Sequence, residues 1–337
     1  MKVCVVIVTY GNRFRFLKQV IDACLREGVE KIIVVDNASH PESKNKLKEL
    51  ESKLRDKIKV IYLDENTGSA GGYKRGLQEA YKCEKCEFIW LLDDDNEPQK
   101  GSLKVLKEFW KNYYLENKEE NLCLLSYRSD RIAYKEAVVT NNPYLVLGKK
   151  NSFLGFHVVD LPKKVIRVIK RKLGLQTFKD NPNIKYGLVA VAPYGGMFFH
   201  KRLINKIGYP REKFFLYADD HEWSYRITKI GGRIVLLLDS VLEDIDKSWN
   251  IKKGKETIFD ILHRGNSFRI YYSTRNRIAF EQENLVSNKS LYKLNLVIFK
   301  QLLSLYLKIK KNKNNIEIFN KAVNDGLNFK LGKLEKL

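Results

Sequence analysis

Strand-like and helix-like segments alternate with short connections through the first hundred residues. This predicts an α/β fold with a mostly parallel sheet, flanking helices and a helical, basic C-terminal extension. Two further observations point the same way. The strand candidates Val3–Val8 and Ile32–Val35 are near-continuous apolar runs, as strands buried on both faces require. Polar or glycine residues gather where each run ends, which is where open α/β sheets bind ligands.

In order, Val3–Thr9 is the first expected strand, and Phe16, Leu17, Val20, Ile21, Cys24 and Leu25 have helical spacing over Phe14–Glu27. Strand Lys31–Asp36, helix Ser43–Arg55, strand Lys59–Leu63, helix Ala70–Tyr81 and strand Glu87–Leu92 follow, with right-handed crossovers. Ser102–Asn117 reads as an amphipathic helix and Leu122–Tyr127 as a strand. Residues 128–185 lose periodicity and gain charge, and read as an insertion carrying acceptor or membrane contacts. Order returns in Leu188–Pro193, Gly195–His200, the helix Lys201–Ile207, the acidic cluster in Phe214–Ile227 and a strand over residues 233–238. The expected division is a catalytic domain over residues 1–265 and a helical region over 266–337.

A chain of 337 residues with 44% hydrophobic content can bury a large core. Its 62 Lys and Arg against 40 Asp and Glu give a net charge of +22, which implies an anionic partner. No zinc-finger spacing, arginine-rich array or RNA-binding aromatic signature appears, so nucleic acid is not the expected one. The five cysteines are an odd number, which favours reduced thiols and a cytosolic protein; Cys83 and Cys86 form a lone C-x-x-C without a second pair. No signal peptide and no apolar run near the ~20 residues of a membrane span is visible.

The most telling run is Asp93, Asp94 and Asp95, delivered by an apolar strand to its C-terminal end. Three adjacent acids repel one another unless a cation sits among them, and hard oxygen ligands suit Mg²⁺ or Mn²⁺. An acidic turn is the plainer alternative. The first strand ends in Thr9-Tyr10-Gly11-Asn12-Arg13 and the second in Val35-Asp36-Asn37-Ala38-Ser39. The third leads into Asn66-Thr67-Gly68-Ser69-Ala70-Gly71-Gly72-Tyr73-Lys74-Arg75-Gly76, so all three would line one crevice. Asp36 can accept the imide N–H of a uracil or thymine. The glycine-rich segment lets backbone amides approach phosphate, or is an ordinary tight turn. It lacks the P-loop pattern and follows the third strand, against an ATPase or a dinucleotide-binding enzyme.

The succession VIVTYGNR, VVDNAS, NTGSAGGYKRG, WLLDDDNEP, GGMFFHK, FFLYADDHEWSYR and YYSTRNR resembles the inverting family 2 glycosyltransferases with a GT-A fold, from about Val3 to Arg277. Within that family it is most similar to bacterial galactofuranosyltransferases and rhamnosyltransferases. The resemblance implies that Asp36 reads the base, that Asp93 and Asp95 hold ribose and metal-bound diphosphate, and that Arg75 helps fix the nucleotide. Thr9, Arg13, Asn66, Gly71, Gly72 and Asp94 are assigned to the same donor pocket. Asp220 is the implied catalytic base, with Asp219 orienting it or binding acceptor hydroxyls; capping of the following helix is the structural alternative. Gly195, Gly196, Trp223 and Trp249 are placed on the acceptor side, and Arg275 and Asn276 fit the family's Tyr-x-x-Arg-Asn segment.

One departure concerns the metal. Relatives carry a histidine some twenty residues after the base, and the corresponding text here, Leu242 to Trp249, has none. Asp244 takes that place beside Asp93 and Asp95 as the third expected ligand of Mn²⁺ or Mg²⁺, unless it belongs to a solvated acidic loop. His263 is a distant substitute.

Leu291, Leu294, Ile298, Leu302, Leu305 and Ile309 recur at helical spacing among lysines, and 163–173 is a second basic amphipathic stretch. Either the stripe docks on the catalytic domain, or the protein attaches peripherally to the inner, cytoplasmic face of the cell membrane. The expected activity is transfer from a nucleotide-sugar donor to a glycan or lipid-linked glycan acceptor. The favoured donor is UDP-galactofuranose, ahead of dTDP-rhamnose and UDP-hexose. A sugar nucleotidyltransferase would carry a glycine-rich basic loop after the first strand, where TYGNR stands. A non-catalytic binding module would not need the intact triplet and the Asp219–Asp220 pair.

Overall fold

The expected alternation forms as β1 (Val3–Thr9), α1 (Phe14–Arg26), β2 (Lys31–Asn37), α2 (Pro41–Lys53), β3 (Ile58–Leu63), α3 (Gly68–Lys82) and β4 (Phe88–Asp93). Successive residues of an extended strand point to opposite faces. Val3, Val5 and Ile7 therefore pack with Leu17, Val20, Ile21 and Cys24 of α1, while Cys4 and Val6 pack with Tyr73, Leu77 and Ala80 of α3. In this computed structural model, which describes residues 1–173, 175, 178–246, 258–310 and 315–334, the chain divides into two units. One comprises Met1–Val146, Asn181–Phe215 and Asp219–Trp249; the other comprises Leu147–Asp180, Leu216–Ala218 and Asn250–Leu337.

The first unit continues through β5 (Asn96–Pro98), α4 (Ser102–Asn112), α5 (Lys118–Asn121), β6 (Leu122–Arg128) and α6 (Ile132–Val139). After α7 (Leu161–Lys172), which belongs to the second unit, come β7 (Tyr186–Val189), β8 (Met197–His200), α8 (Leu203–Ile207), α9 (Asp219–Lys229) and β9 (Arg233–Asp244). The sheet order is β3-β2-β1-β4-β8-β6-β9-β5, with β7 also paired to β9. β1 to β4 are mutually parallel, β6 and β9 are parallel to each other, and β8 runs antiparallel between β4 and β6.

Two elements differ from the sequence expectation. β9 runs on to Asp244 instead of stopping at 238, because a register shift opposite Ser126 and Tyr127 absorbs the polar residues Asp239 and Ser240. Ser240 is buried there and its hydroxyl bonds that of Ser126 at 2.8 Å. The second half of β9 then pairs with β5, a strand too short to stand out in sequence, setting Asn96 opposite Asp244.

The second unit adds α10 (Ile258–Arg264), α11 (Ser267–Asn284), α12 (Lys289–Ile309) and α13 (Ile316–Leu327). Its core joins Phe153, Phe156, Tyr292, Phe299, Leu303 and Phe319. The expected insertion over 128–185 thus splits between the units, because Phe153 and Phe156 pack on Phe299, with ring centroids 5.3 and 5.8 Å away. The inward face of α12 is Tyr292, Asn295, Phe299, Leu303 and Leu307. Of the stripe singled out in sequence, Ile298 and Leu302 are half-buried while Leu294, Leu305 and Ile309 are exposed.

Close approach of α3 to the sheet depends on missing side chains. A Cβ at Gly76 would overlap Cγ1 of Val6 and press on Val35 at 3.2 Å. Gly76→Val is therefore expected to lower stability by about 1–3 kcal/mol, read as a shifted denaturation midpoint. An unchanged midpoint would contradict this packing.

Candidate active site

Three strands of the parallel half, β1, β2 and β4, end in polar residues: Thr9, Asn37 and Asp93. Asp36 is fully buried at the end of β2; its Oδ1 accepts the Ser39 N–H at 2.9 Å, while Oδ2 has no protein donor. Beside it, Asn37 organises the next loop: its Oδ1 accepts from the Thr67 N–H at 2.9 Å, and its Nδ2 donates to the Gly68 carbonyl at 2.9 Å. Asn66 closes the turn by accepting the Gly68 N–H at 2.8 Å. The glycines of this segment also have a packing role. Gly71 and Gly72 are buried, and side chains there would run into Thr67 and Val8. They bring a helix onto the sheet, and Arg75 of that helix is exposed.

At the ends of β1, β4, β6 and β9 two arginines hydrogen-bond five carboxylates, and Asp130 stands 3.8 Å from Arg128 as a sixth. Arg13 donates through Nε to Asp94 at 2.9 Å and through Nη2 to Asp95 at 2.8 Å, and pairs with Asp246 through Nη1. Thr9 also donates to Asp94, at 2.7 Å. Arg128, which ends β6, bridges Asp93 at 2.9 Å and Asp244 at 2.7 Å. The remaining oxygens of those two carboxylates accept from the Tyr73 hydroxyl at 2.7 Å and from Asn96 at 2.6 Å. Gly195 adjoins this cluster: a Cβ there would meet Asn96, Asp93 and Arg128, so only glycine fits. Gly196, with φ of +108°, turns the chain into β8.

With more acids than guanidiniums, the cluster keeps excess negative charge. Burial, and then neighbouring carboxylates, push Asp95 up to about 7. Asp94 is pushed up to about 6 by burial despite its contact with Arg13. That is an environment short of cations. Among the described residues, however, no three acidic, imidazole or thiol side chains converge into a closed metal site. The three expected ligands are alike in having both oxygens engaged: Asp93 by Arg128 and Tyr73, Asp95 by Arg13 and Asn96, and Asp244 by Arg128 and Asn96. A hard cation such as Mg²⁺ or Mn²⁺ would have to use the second lone pairs of these oxygens or displace one of their donors, with further oxygen ligands completing its shell.

The second acidic cluster opens α9. Phe215, Tyr217 and Ala218 all have left-handed backbone, with φ of 64°, 65° and 58°, immediately before Asp219. Such conformations are costly for residues with side chains and concentrate at functional sites. Within the second unit, Asn276 donates to the carbonyls of Leu216 and Tyr217 at 2.8 and 2.9 Å, and its neighbour Arg275 is buried beneath Tyr271 and Tyr272. The two acids differ in environment. Asp219 is buried and accepts the Ser69 hydroxyl at 2.6 Å. Asp220 is half-buried, with one oxygen fixed by the His221 N–H at 2.8 Å.

Trp223 corrects the sequence reading. It is not exposed beside the acids as a sugar platform. Its indole N–H donates to the Gly208 carbonyl at 2.8 Å, and its ring is buried against Tyr194 and Phe199. One helical turn from Asp219, it shares that residue's inward face. Trp249 lies outside the described residues. The residues not anticipated were Arg128, Tyr73, Asn37, Asn96, Ser69 and Asp246; the alternation Asp244-Ile245-Asp246 was the one available signal.

Burial, and then the adjacent Asp220 charge, push Asp219 up to about 8. An acid with a raised folded pKa binds more protons when folded than when unfolded. Its contribution is complete below about pH 4 and is lost as pH rises towards its folded pKa. Asp219→Asn is therefore expected to lose less stability than the unsubstituted protein between about pH 5 and about pH 9, by urea denaturation. Identical pH dependence would show that Asp219 does not hold the proton.

Residues 4–116 match the family model described as Glycosyl transferase family 2. No curated protein sequence matches the chain significantly. Among solved structures, GalNAc-T7 with UDP, GalNAc and Mn²⁺ superimposes with a TM-score of 0.53 at 13% identity, covering 83% of this chain and 48% of that one. Residues 1–349 of Staphylococcus aureus TarS in complex with UDP-GlcNAc give 0.52 at 15% identity, covering 97% and 81%. The chain thus spans about half the length of the GalNAc-T7 structure. At these identities the likeness establishes the architecture: a GT-A fold, whose N-terminal third carries the family 2 match.

Proposed function

We propose that the chain is an inverting glycosyltransferase that moves one sugar from a nucleotide-sugar donor to a hydroxyl of a glycan acceptor. The observation that carries this reading is the buried Asp36 oxygen without a protein donor, in the same unit as the charged carboxylate cluster. An unsatisfied buried acceptor is costly, and the imide N–H of a uracil or thymine ring would satisfy it. The donor is accordingly a uridine or thymidine diphosphate sugar. UDP-galactofuranose comes first, with dTDP-rhamnose and a UDP-hexose after it. The acceptor is a cell-surface glycan precursor, lipid-linked, at the inner face of the membrane.

In this mechanism Asp220 accepts the proton of the acceptor hydroxyl as its oxygen attacks the anomeric carbon. The bond from that carbon to the diphosphate oxygen breaks on the opposite face, so configuration inverts in one step. Asp219, which burial and the neighbouring Asp220 push up to about 8, is assigned to fixing the start of α9 through Ser69. Arg13 and Arg128 keep Asp93, Asp94 and Asp95 in place. A divalent ion held by Asp93 and Asp95 would supply charge neutralisation for the departing nucleoside diphosphate.

Asp220→Asn keeps shape but accepts no proton, so turnover is expected to fall by at least about 10²-fold while donor affinity barely changes. Loss of turnover in Asp219→Asn with Asp220→Asn active would exchange the two roles. Turnover should also fall on chelation with EDTA and recover with Mn²⁺ or Mg²⁺. Full activity in EDTA would mean that Arg13 and Arg128 suffice as the cations.

A further inference from the structure

The second unit presents an apolar surface that its own core does not use. In α7, Leu161 packs against the core and Val168 is half-buried, whereas Val165, Ile166, Ile169 and Leu173 are exposed by half or more. Their spacing of one, three and four residues sets them on one stripe of the helix. Such exposure costs free energy unless something covers it. Leu161–Leu173 also carries six Lys and Arg and no Asp or Glu. A continuous aliphatic stripe in a wholly basic segment is the pattern of a helix lying in a lipid–water interface.

Charge selects the occupant. A second copy of a chain at +22 would bring like charge against this helix. The stripe is aliphatic throughout, without the Trp and Tyr anchors that dominate protein–protein contacts. A second element of the same unit repeats the pattern: α12 exposes Leu294, Leu305 and Ile309, with Lys308 and Lys310 exposed beside them. We infer that α7 is an interfacial helix which docks the second unit on an anionic lipid surface. Its aliphatic stripe enters the headgroup boundary and its cations meet lipid phosphates. No helix of the described residues is long and apolar enough to cross a membrane. The inference stands apart from the reaction, because vesicle binding is read without turnover.

The test is co-sedimentation of the full chain with vesicles of phosphatidylcholine alone, or of equal parts phosphatidylcholine and phosphatidylglycerol, across a salt series. The expected result is binding to the anionic vesicles that weakens at least about tenfold between low and high salt, since surface charge is screened within a few ångströms at high salt. Ile166→Ser with Ile169→Ser keeps every charge and removes half the stripe, and should weaken binding by about tenfold or more. Lys170→Glu should weaken it on anionic vesicles only. These side chains are exposed, so a melting curve should confirm an intact fold. Three outcomes would overturn the inference. Equal, salt-insensitive binding to neutral vesicles would remove the electrostatic part. Undiminished binding by the double Ser variant would point to a soluble polyanion site. Self-association in sedimentation velocity without lipid, abolished by the same variant, would assign the stripe to a second copy.

Discussion

Two guanidinium groups hydrogen-bond five carboxylates at the open ends of four strands, and the geometry of the first unit hangs on that exchange. Taking a charge out of water costs several kcal/mol even after relaxation, and only good geometry with further hydrogen bonds offsets it. Here Arg13 follows β1, Asp93 ends β4, Arg128 ends β6 and Asp244 ends β9. Each arginine therefore ties together strands that hydrophobic packing alone would leave free to slide. Removing one partner would strand the other, which makes the set cooperative rather than a sum of pairs. Because the acids outnumber the arginines, the lattice is stable yet still short of positive charge. Burial raises both Asp94 and Asp95, and the neighbouring carboxylates add to the rise at Asp95.

The acidic pair at the start of α9 shows how neighbours in sequence can take opposite parts. Asp219 points inward to Ser69 and is raised by burial, while Asp220 stays half-buried with one oxygen on the His221 N–H. The turn that precedes them contains three left-handed residues, none of them glycine. Asn276 supplies two hydrogen bonds to that turn from α11, which gives a structural reason for an asparagine in the middle of a helix. A strained turn held from outside is a means of aiming a side chain.

Much of this was legible in the sequence because hydropathy reports burial directly. The parallel strands are buried on both faces, so β1, β2 and β4 read as apolar runs, and the acids at their ends stand out by contrast. What could not be read depends on long-range contact. Arg128 looks like the first residue of a charged segment, since its partners lie 35 and 116 positions away. The second half of β9 hides behind Asp239 and Ser240, whose polarity is absorbed by a bulge. Trp223 was misread because adjacency to acids was taken for exposure, whereas helical geometry put it on the inward face with Asp219. In α12 two apolar stripes run side by side, and periodicity does not say which one faces the core.

Charge distribution separates two roles that composition alone would merge. A chain at +22 with an anionic donor invites the idea that its cations exist to hold the diphosphate. The candidate site contradicts that: it is locally acidic, its two arginines are already committed to aspartates, and Arg75 is exposed on α3. Screening confines the influence of distant surface lysines to about one Debye length, roughly 8–10 Å at physiological salt. Most of the positive surplus therefore cannot act on a ligand in the crevice. Six basic residues of that surplus crowd into the thirteen around α7. In the inference drawn above, a partner that is charged at its surface and apolar just beneath would satisfy both this basic segment and the exposed Val165, Ile166 and Ile169 at once.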